Sequence, residues 1–149
     1  MNSTAFQEYI TYNEDYHILI CHSHGFAIPP DGVQRHFREF HKTISIDVRN
    51  QIIQHAKSLS LVKPEDISTP SGEIKSIDCL KLITNGWQCQ FNDCLHCTTT
   101  QGAMIEHCKV KHGRKKGQQE IWQSQAIQTF FQGPHRRYDR SRYHMLTIN

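Results

Sequence analysis

The stretch CQFNDCLHCTTTQGAMIEHCKVKH, residues 89–112, decides the fold. It holds Cys89 and Cys94, separated by four residues, and then, after twelve more, His107 and His112, again separated by four. Two thiolates on a tight turn and two imidazoles one helical turn apart converge as a tetrahedral ligand set for Zn²⁺. This is the spacing of a C2H2 zinc finger, and it predicts a zinc site formed by these four residues.

Other potential ligands lie in or near the same stretch. Use of Cys97 in place of Cys94 would leave nine residues before His107, which strains the geometry between turn and helix. Cys108 follows His107 directly but points off the ligand face of the helix. We interpret Cys97, Cys108 and the upstream Cys79 as small buried hydrophobic residues or unused thiols. His96, Cys97 and Cys108 stay open as local competitors.

The same pattern occurs earlier in the chain with one ligand changed. Cys21, His24, His36 and His41 repeat the order of the later set, with His24 where a second Cys is expected. Imidazole is a normal zinc ligand, so a Cys/His3 set predicts a second zinc site of weaker affinity. Two alternatives remain open: His22 replaces His24, or this copy packs without metal.

Each set of ligands is embedded in the same order of predicted elements. A strand pair leads to the first Cys, with turns at residues 13–15 and at Asn85-Gly86, a strong hairpin signal. A helix with two His follows, starting near Pro29-Pro30-Asp31 in the first copy and capped by Thr99 or Thr100 in the second. An amphipathic helix then follows each, predicted from Val48, Ile52, Ala56 and Leu59 and from Trp122, Ala126, Ile127, Phe130 and Phe131.

These elements predict an α+β fold. Two ββα zinc-finger-like units, each followed by an amphipathic helix, would pack as one pseudo-duplicated small domain. We place the first unit with its helix at residues 10–62 and a linker with Pro and Gly at residues 63–75. Residues 76–148 would hold the second unit, its helix and a basic C-terminal segment, with a closing strand at residues 143–148.

The composition favours metal as a source of stability. The 149 residues are 37% hydrophobic with a mean hydropathy of −0.61, which predicts a thin core, and they include six Cys and eleven His. The sequence has neither a signal-peptide pattern nor an apolar run long enough for a membrane span. We therefore expect an intracellular protein with reduced thiols and no membrane partner.

Candidate ligands and apolar and aromatic residues also follow one another in a recognisable order from about Tyr16 to Ile148. They are Ile20-Cys21, Pro29, His36 and His41, then Ile77, Leu80, Gly86, Trp87 and Cys89, then Met104, His107 and His112, and finally Trp122 and residues 127–131. This ordered set resembles the fungal OrsD-like domain family, named after a protein of the orsellinic acid biosynthesis cluster. The resemblance implies paired C2H2-type zinc fingers, often within larger proteins, and no settled activity. His24 departs from the family's usual second Cys.

Charge is distributed unevenly along the chain. The net charge is +3, but residues 109–149 carry nine basic residues against two acidic ones, a net +7, which leaves −4 for residues 1–108. The basic side chains predict contact with a nucleic-acid backbone, and the first run also fits a nuclear localisation signal. The predicted contacts are Lys109, Lys111, Arg114, Lys115, Lys116, Arg136, Arg137 and Arg140.

Sequence-specific DNA reading is not predicted. The base-reading positions of the finger helices hold Thr100, Gly102, Ala103 and Glu106 in the second copy and Pro29, Asp31, Gly32 and Arg35 in the first. Among these, Arg35 alone can make a bidentate contact to guanine. Backbone-directed binding or macromolecular assembly is therefore the favoured role, and a protein-interaction module that uses the Trp122/Phe130 helix is the alternative.

An enzyme is not predicted either. A catalytic zinc keeps an open coordination position, whereas both sets supply four protein ligands. The His-x-Glu and Pro-Cys-x2-Cys signature of zinc deaminases is absent from the sequence. We expect no catalytic residues and no small-molecule substrate.

Overall fold

The structure is a computed structural model that describes residues 6–67, 74–94, 96–132 and 138–142, with the backbone alone for residues 74 and 138–142. The chain divides into two compact units. The described part of the first unit is residues 6–67, 79–81 and 130–132, and that of the second is residues 74–78, 82–94, 96–129 and 138–142. Each unit contains one of the two Cys/His sets.

The first unit consists of a small sheet and two helices. Its elements are strands β1 (Ile10–Asn13), β2 (Ile18–Cys21) and β3 (Phe26–Ile28) and helices α1 (Val33–Phe40) and α2 (Ile46–Ser58), with short 3-10 turns at Pro30–Gly32 and Pro64–Asp66. The sheet is antiparallel in the order β1-β2-β3. The Ser45 hydroxyl caps α2 by accepting a hydrogen bond from the backbone N–H of Val48 at 3.2 Å.

The core of this unit lies between the sheet and the two helices. Leu19 of β2, Phe37 of α1 and Ile52 of α2 are fully buried in one apolar cluster. Because Leu19 precedes Cys21 by two residues and Phe37 follows His36 directly, burial of this core holds the backbone of both ligands in place.

The second unit has a larger sheet and one helix. Its elements are β4 (Ile74–Lys75), β5 (Ile83–Cys89), β6 (Cys97–Thr98), α3 (Gln101–His112), β7 (Trp122–Thr129) and β8 (Tyr138–Arg142). The strand order is β4-β8-β7-β5-β6, antiparallel except for the parallel pair β4 and β8. The Thr100 hydroxyl accepts from the N–H of Ala103 at the start of α3, and Gly113 ends the helix at φ +65°.

These elements confirm the predicted α+β class and the two ββα-like arrangements. Strands lead into Cys21 and Cys89, and α1 and α3 follow as predicted. The amphipathic helix after the first copy is confirmed as α2, which buries Ile52, Ile53 and Ala56. Among the described residues, no helix combines the length and the apolar character needed to span a bilayer.

The predicted helix after the second copy is wrong, because residues Trp122–Thr129 form strand β7. Trp122, Ala126 and Phe130 are spaced by four residues, a spacing that also keeps them on one face of a strand. β7 pairs with β5 on one side and β8 on the other, and these ladders satisfy its backbone in the extended form.

The predicted hairpin at Asn85-Gly86 is also wrong, because β5 runs through both residues. Its register against β7 is irregular between Ile83 and Gly86. A Cβ on Gly86 would lie 2.6 Å from Ile127 Cδ1 and 2.9 Å from the Gln125 carbonyl oxygen. The glycine therefore serves close packing of two strands and not a turn.

Candidate metal centres

The first centre gathers four ligand atoms from consecutive elements. Cys21 ends β2, His24 lies in the turn before β3, His36 is in α1, and His41 directly follows α1. The Cys21 Sγ lies 3.2 Å from His24 Nδ1 and 3.4 Å from His41 Nε2, and His36 Nε2 lies 3.0 Å from His41 Nε2. All four ligand atoms lie within 4.8 Å of one another.

These distances match the edges of a metal tetrahedron. Bonds of about 2.3 Å to sulfur and 2.0–2.1 Å to nitrogen imply ligand-to-ligand edges of about 3.3–3.8 Å. Three of the six separations in the group are 3.0–3.4 Å, close to that range, and all six are within 4.8 Å. The first Cys/His group can therefore hold a metal ion.

The alternative ligand His22 is engaged elsewhere. Its Nε2 forms a hydrogen bond with the Thr11 hydroxyl, and its Nδ1 donates a hydrogen bond to the Glu8 carbonyl oxygen at 2.8 Å. Both ring nitrogens thus face partners other than Cys21. The geometry therefore places His24, and not His22, in the group of residues that could hold a metal ion.

The second centre is arranged in the same way. Cys89 ends β5, Cys94 lies in the loop before β6, and His107 and His112 project from successive turns of α3. Cys94 Sγ lies 3.2 Å from His107 Nε2, and the four ligand atoms lie within 4.8 Å of one another. The Nε2 atom of His112 is buried and has no hydrogen-bond partner in the described residues. A metal ion would satisfy this orphaned atom.

The competing residues of the second stretch lie outside this four-residue group. The His96 ring stacks on that of His107 with 4.1 Å between centroids. Cys97 is buried in β6, and Cys108 is buried in α3 with its Sγ 3.9 Å from that of Cys89. Cys79, by contrast, is exposed, so of its two predicted roles the buried hydrophobic residue is wrong.

Burial shifts the pKa values of several candidate ligands in the direction that favours the neutral side chain. Burial, with the nearby His41 and His24, lowers the pKa of His36 to about 4, and burial also lowers the pKa of His41 and His107. Burial raises the pKa of the Cys89 thiol to about 12. Near pH 7 these three imidazoles are therefore neutral, the form that binds a metal, and the buried Cys89 thiol keeps its proton unless a cation binds in its place.

Residues 8–113, which include all eight candidate ligands, match the family described as "Orsellinic acid/F9775 biosynthesis cluster protein D". The chain belongs to this family. The relative of that name from Emericella nidulans is 30% identical over 129 residues, which are 87% of this chain and 25% of the relative. The chain thus spans about a quarter of the relative's length, and the relative's name states no catalytic activity. No solved structure matches the chain.

The basic residues predicted to contact nucleic acid in this family member are not all equally available to a partner. Lys109, Lys111, Lys115 and Lys116 are exposed. The Arg114 guanidinium instead donates to the Gln118 and Gln119 carbonyl oxygens and lies 4.5 Å from the centre of the Trp122 ring. Arg136 and Arg137 lie outside the described residues, and Arg140 is in β8, where the backbone alone is described.

The aromatic residues proposed for protein interaction are buried. Trp122 is 8% exposed and Phe130 is 5% exposed, and the helix that was predicted to carry them is absent. Ile127 and Phe131 are buried as well. The apolar stripe of this family member therefore packs within the fold, as such stripes usually do.

Proposed function

We propose that this chain is a structural, non-catalytic zinc-binding module with two sites. One site consists of Cys89, Cys94, His107 and His112, and the other of Cys21, His24, His36 and His41. The observation that carries the proposal is that each unit brings one Cys/His set together with ligand atoms within 4.8 Å. Mixed thiol and imidazole ligands at tetrahedral separations favour zinc over calcium or magnesium, which prefer oxygen.

The number of protein ligands supports a structural role. Four protein ligands complete a tetrahedron and leave no position for water or substrate. Zinc would supply folding energy here, and it would join β2 to α1 in the first unit and β5 to α3 in the second. The relative's name, which states no catalytic activity, is consistent with this role.

We infer that the second site binds zinc more tightly than the first. It offers the thiols of Cys89 and Cys94, whereas the first offers Cys21 alone. Thiolates neutralise the charge of the ion as well as donating electrons to it, so the site with two of them is the stronger.

Metal stoichiometry by native mass spectrometry tests this proposal. We expect two zinc ions per chain, and one in a Cys94→Ser variant, because that variant removes a ligand of the second site. A Cys97→Ser variant is the matched control and should keep two, because Cys97 lies outside the group. A protein that contains no zinc, or that keeps its circular dichroism and melting temperature after exposure to a strong chelator, would contradict the structural role.

We propose a second function, binding to the backbone of nucleic acid, which is favoured by the exposed lysines at the end of α3. Four lysines lie within eight residues, namely Lys109, Lys111, Lys115 and Lys116. None of them forms an ion pair with an acidic side chain of the described residues. α3 would not read the bases, because its reading positions hold residues that are small or acidic, namely Thr100, Gly102, Ala103 and Glu106. The same run would support nuclear import, which a fluorescent fusion can test.

Binding to random-sequence duplex DNA at several salt concentrations tests this second function. Replacement of Lys115 and Lys116 by Ala should weaken binding and reduce the slope of log affinity against log salt by about 1.8 if both contact phosphates. The matched control replaces the exposed Lys42 and Lys57 of the first unit, which removes the same net charge. Equal weakening in both variants, or no binding at low salt, would overturn the proposal.

A further inference from the structure

A third thiol lies beside the second metal centre and has no role in the proposed function. Cys108 is fully buried on α3, and its Sγ lies 3.9 Å from the Sγ of Cys89 and 3.9 Å from the sulfur of Met104. It is not among the four residues grouped at the centre. A thiol in direct contact with a candidate metal ligand is positioned for exchange chemistry with that ligand.

The three thiols of Cys94, Cys89 and Cys108 differ in their access to solvent. Cys94 is half-buried, whereas Cys89 and Cys108 are 1% and 0% exposed. The Sγ of Cys94 lies within 4.8 Å of the Sγ of Cys89, which in turn contacts that of Cys108. The sulfurs therefore form a series from the accessible Cys94 through Cys89 to the buried Cys108.

We propose that these three thiols form an oxidation relay that ends in a Cys89–Cys108 disulfide. A peroxide oxidises the Cys94 thiol to a sulfenic acid and is itself reduced to water. The Cys89 thiol attacks this sulfur, which forms a Cys89–Cys94 disulfide and releases a second water. The Cys108 thiol then attacks the Cys89 sulfur, and Cys94 leaves as a thiol that takes up the proton from Cys108. Overall, two thiols lose two electrons and two protons to the peroxide.

The geometry favours the last exchange. A disulfide bond is about 2.05 Å long, so the Cys89 and Cys108 sulfurs must approach by about 1.9 Å from their present contact. The product is buried beside Met104, where it is protected from external thiols, whereas the intermediate with Cys94 remains accessible. The relay thus moves the oxidised bond from an accessible position to a buried one.

The expected consequence is loss of metal from the second centre alone. A sulfur in a disulfide is no longer a thiolate ligand, so Cys94, His107 and His112 would remain as an incomplete set. This consequence rests on the proposed zinc function, whereas formation of the disulfide does not. The first centre has no second thiol in its group and should keep its ion.

Peptide mapping of the full chain after brief treatment with hydrogen peroxide tests the relay. Cleavage after Lys81, Asp93 and Glu106 separates Cys79, Cys89, Cys94 and Cys108 into different peptides. We expect a Cys89 peptide joined to a Cys108 peptide, two hydrogens lighter than their sum, with Cys94 free to react with an alkylating agent. A Cys89–Cys94 link as the final product, or a Cys108 that remains open to alkylation, would overturn the proposal.

Variants and metal measurement separate this inference from the proposed function. A Cys108→Ala variant should stop at the Cys89–Cys94 disulfide, while a Cys97→Ala variant should behave as the wild type does. Mapping of the wild type decides the matter even if the Cys108 variant fails to fold. If the Cys89–Cys108 link forms after peroxide but the untreated protein contains no zinc at this centre, the relay is supported and the zinc proposal for this centre is rejected. Zinc that is present, with no link after peroxide, would reject the relay and leave the zinc proposal intact.

Discussion

At the scale of single residues, neighbouring side chains of the same chemistry take different roles because the backbone directs them to different partners. His22 and His24 both lie in the turn after β2, yet His24 Nδ1 faces the Cys21 sulfur while His22 faces Thr11 and the Glu8 carbonyl. Both residues lie in a turn, where the strand rule that places residues two apart on one face no longer holds. Two imidazoles that are near in sequence are therefore not interchangeable as ligands.

This difference leads to a prediction for the first centre. A His24→Ala variant should bind one zinc ion instead of two, because the first group falls to three protein ligands. A His22→Ala variant should still bind two, although loss of its hydrogen bonds should lower the free energy of unfolding by about 1–2 kcal/mol. Native mass spectrometry gives both stoichiometries. Two zinc ions in the His24 variant together with one in the His22 variant would show that the assignment is reversed.

At the scale of elements, the contact between β5 and β7 determines the shape of the second unit. Gly86 lets the two strands approach where Ile127 crosses it, and the register irregularity lies at this point. β5 then continues to Cys89, so the position of the first ligand depends on this pairing. A β-bulge beside a functional site commonly directs a side chain in this way.

The two glycines at Gly86 and Gly102 should respond to alanine in opposite directions. Gly86→Ala should destabilise the protein by about 1–3 kcal/mol, because the added methyl group would overlap Ile127 and the Gln125 carbonyl. Gly102→Ala should stabilise it by up to about 1 kcal/mol, because this glycine is in α3 with no atom within 4 Å of the new Cβ. Chemical denaturation of the zinc-loaded protein measures both, and an unchanged midpoint for the Gly86 variant would contradict the packing argument.

At the scale of the whole molecule, two units carry similar Cys/His groups with different ligand chemistry. The first group has one thiol and three imidazoles, and the second has two of each. Burial keeps His36, His41 and His107 neutral near pH 7, because it lowers the pKa of each. These three imidazoles release no proton when zinc binds, whereas each thiol must lose one, so the thiols should be the main source of the released protons.

This chemistry predicts different pH dependence for the two sites. Between about pH 6.5 and 8, log zinc affinity should rise by about two per pH unit at the second site and by about one at the first. The sign follows from competition, since a falling pH restores protons to thiols that must be deprotonated to bind. Zinc titrations against a competing chelator in the Cys94→Ser and His24→Ala variants measure each site separately. Equal slopes in these two variants would contradict the assignment.

The sequence by itself was sufficient for features that depend on short stretches of chain. The spacing from Cys89 to His112 predicts the second group because two thiols on a short loop lead into one helix that carries both His107 and His112. Thr100, one of the two predicted caps, starts that helix. The ordered motifs identify the family for the same reason, since they record residue types and separations.

The tertiary structure alone decided the features that depend on distant partners. A four-residue apolar spacing fits a helix and a strand equally, so residues 122–129 became a strand only through pairing with β5 and β8. The contact between Cys89 and Cys108 likewise requires β5 to meet α3. The spacing of residue types along the chain restricts the conformations that a short segment can adopt. Long-range backbone pairing and burial then select one of those conformations.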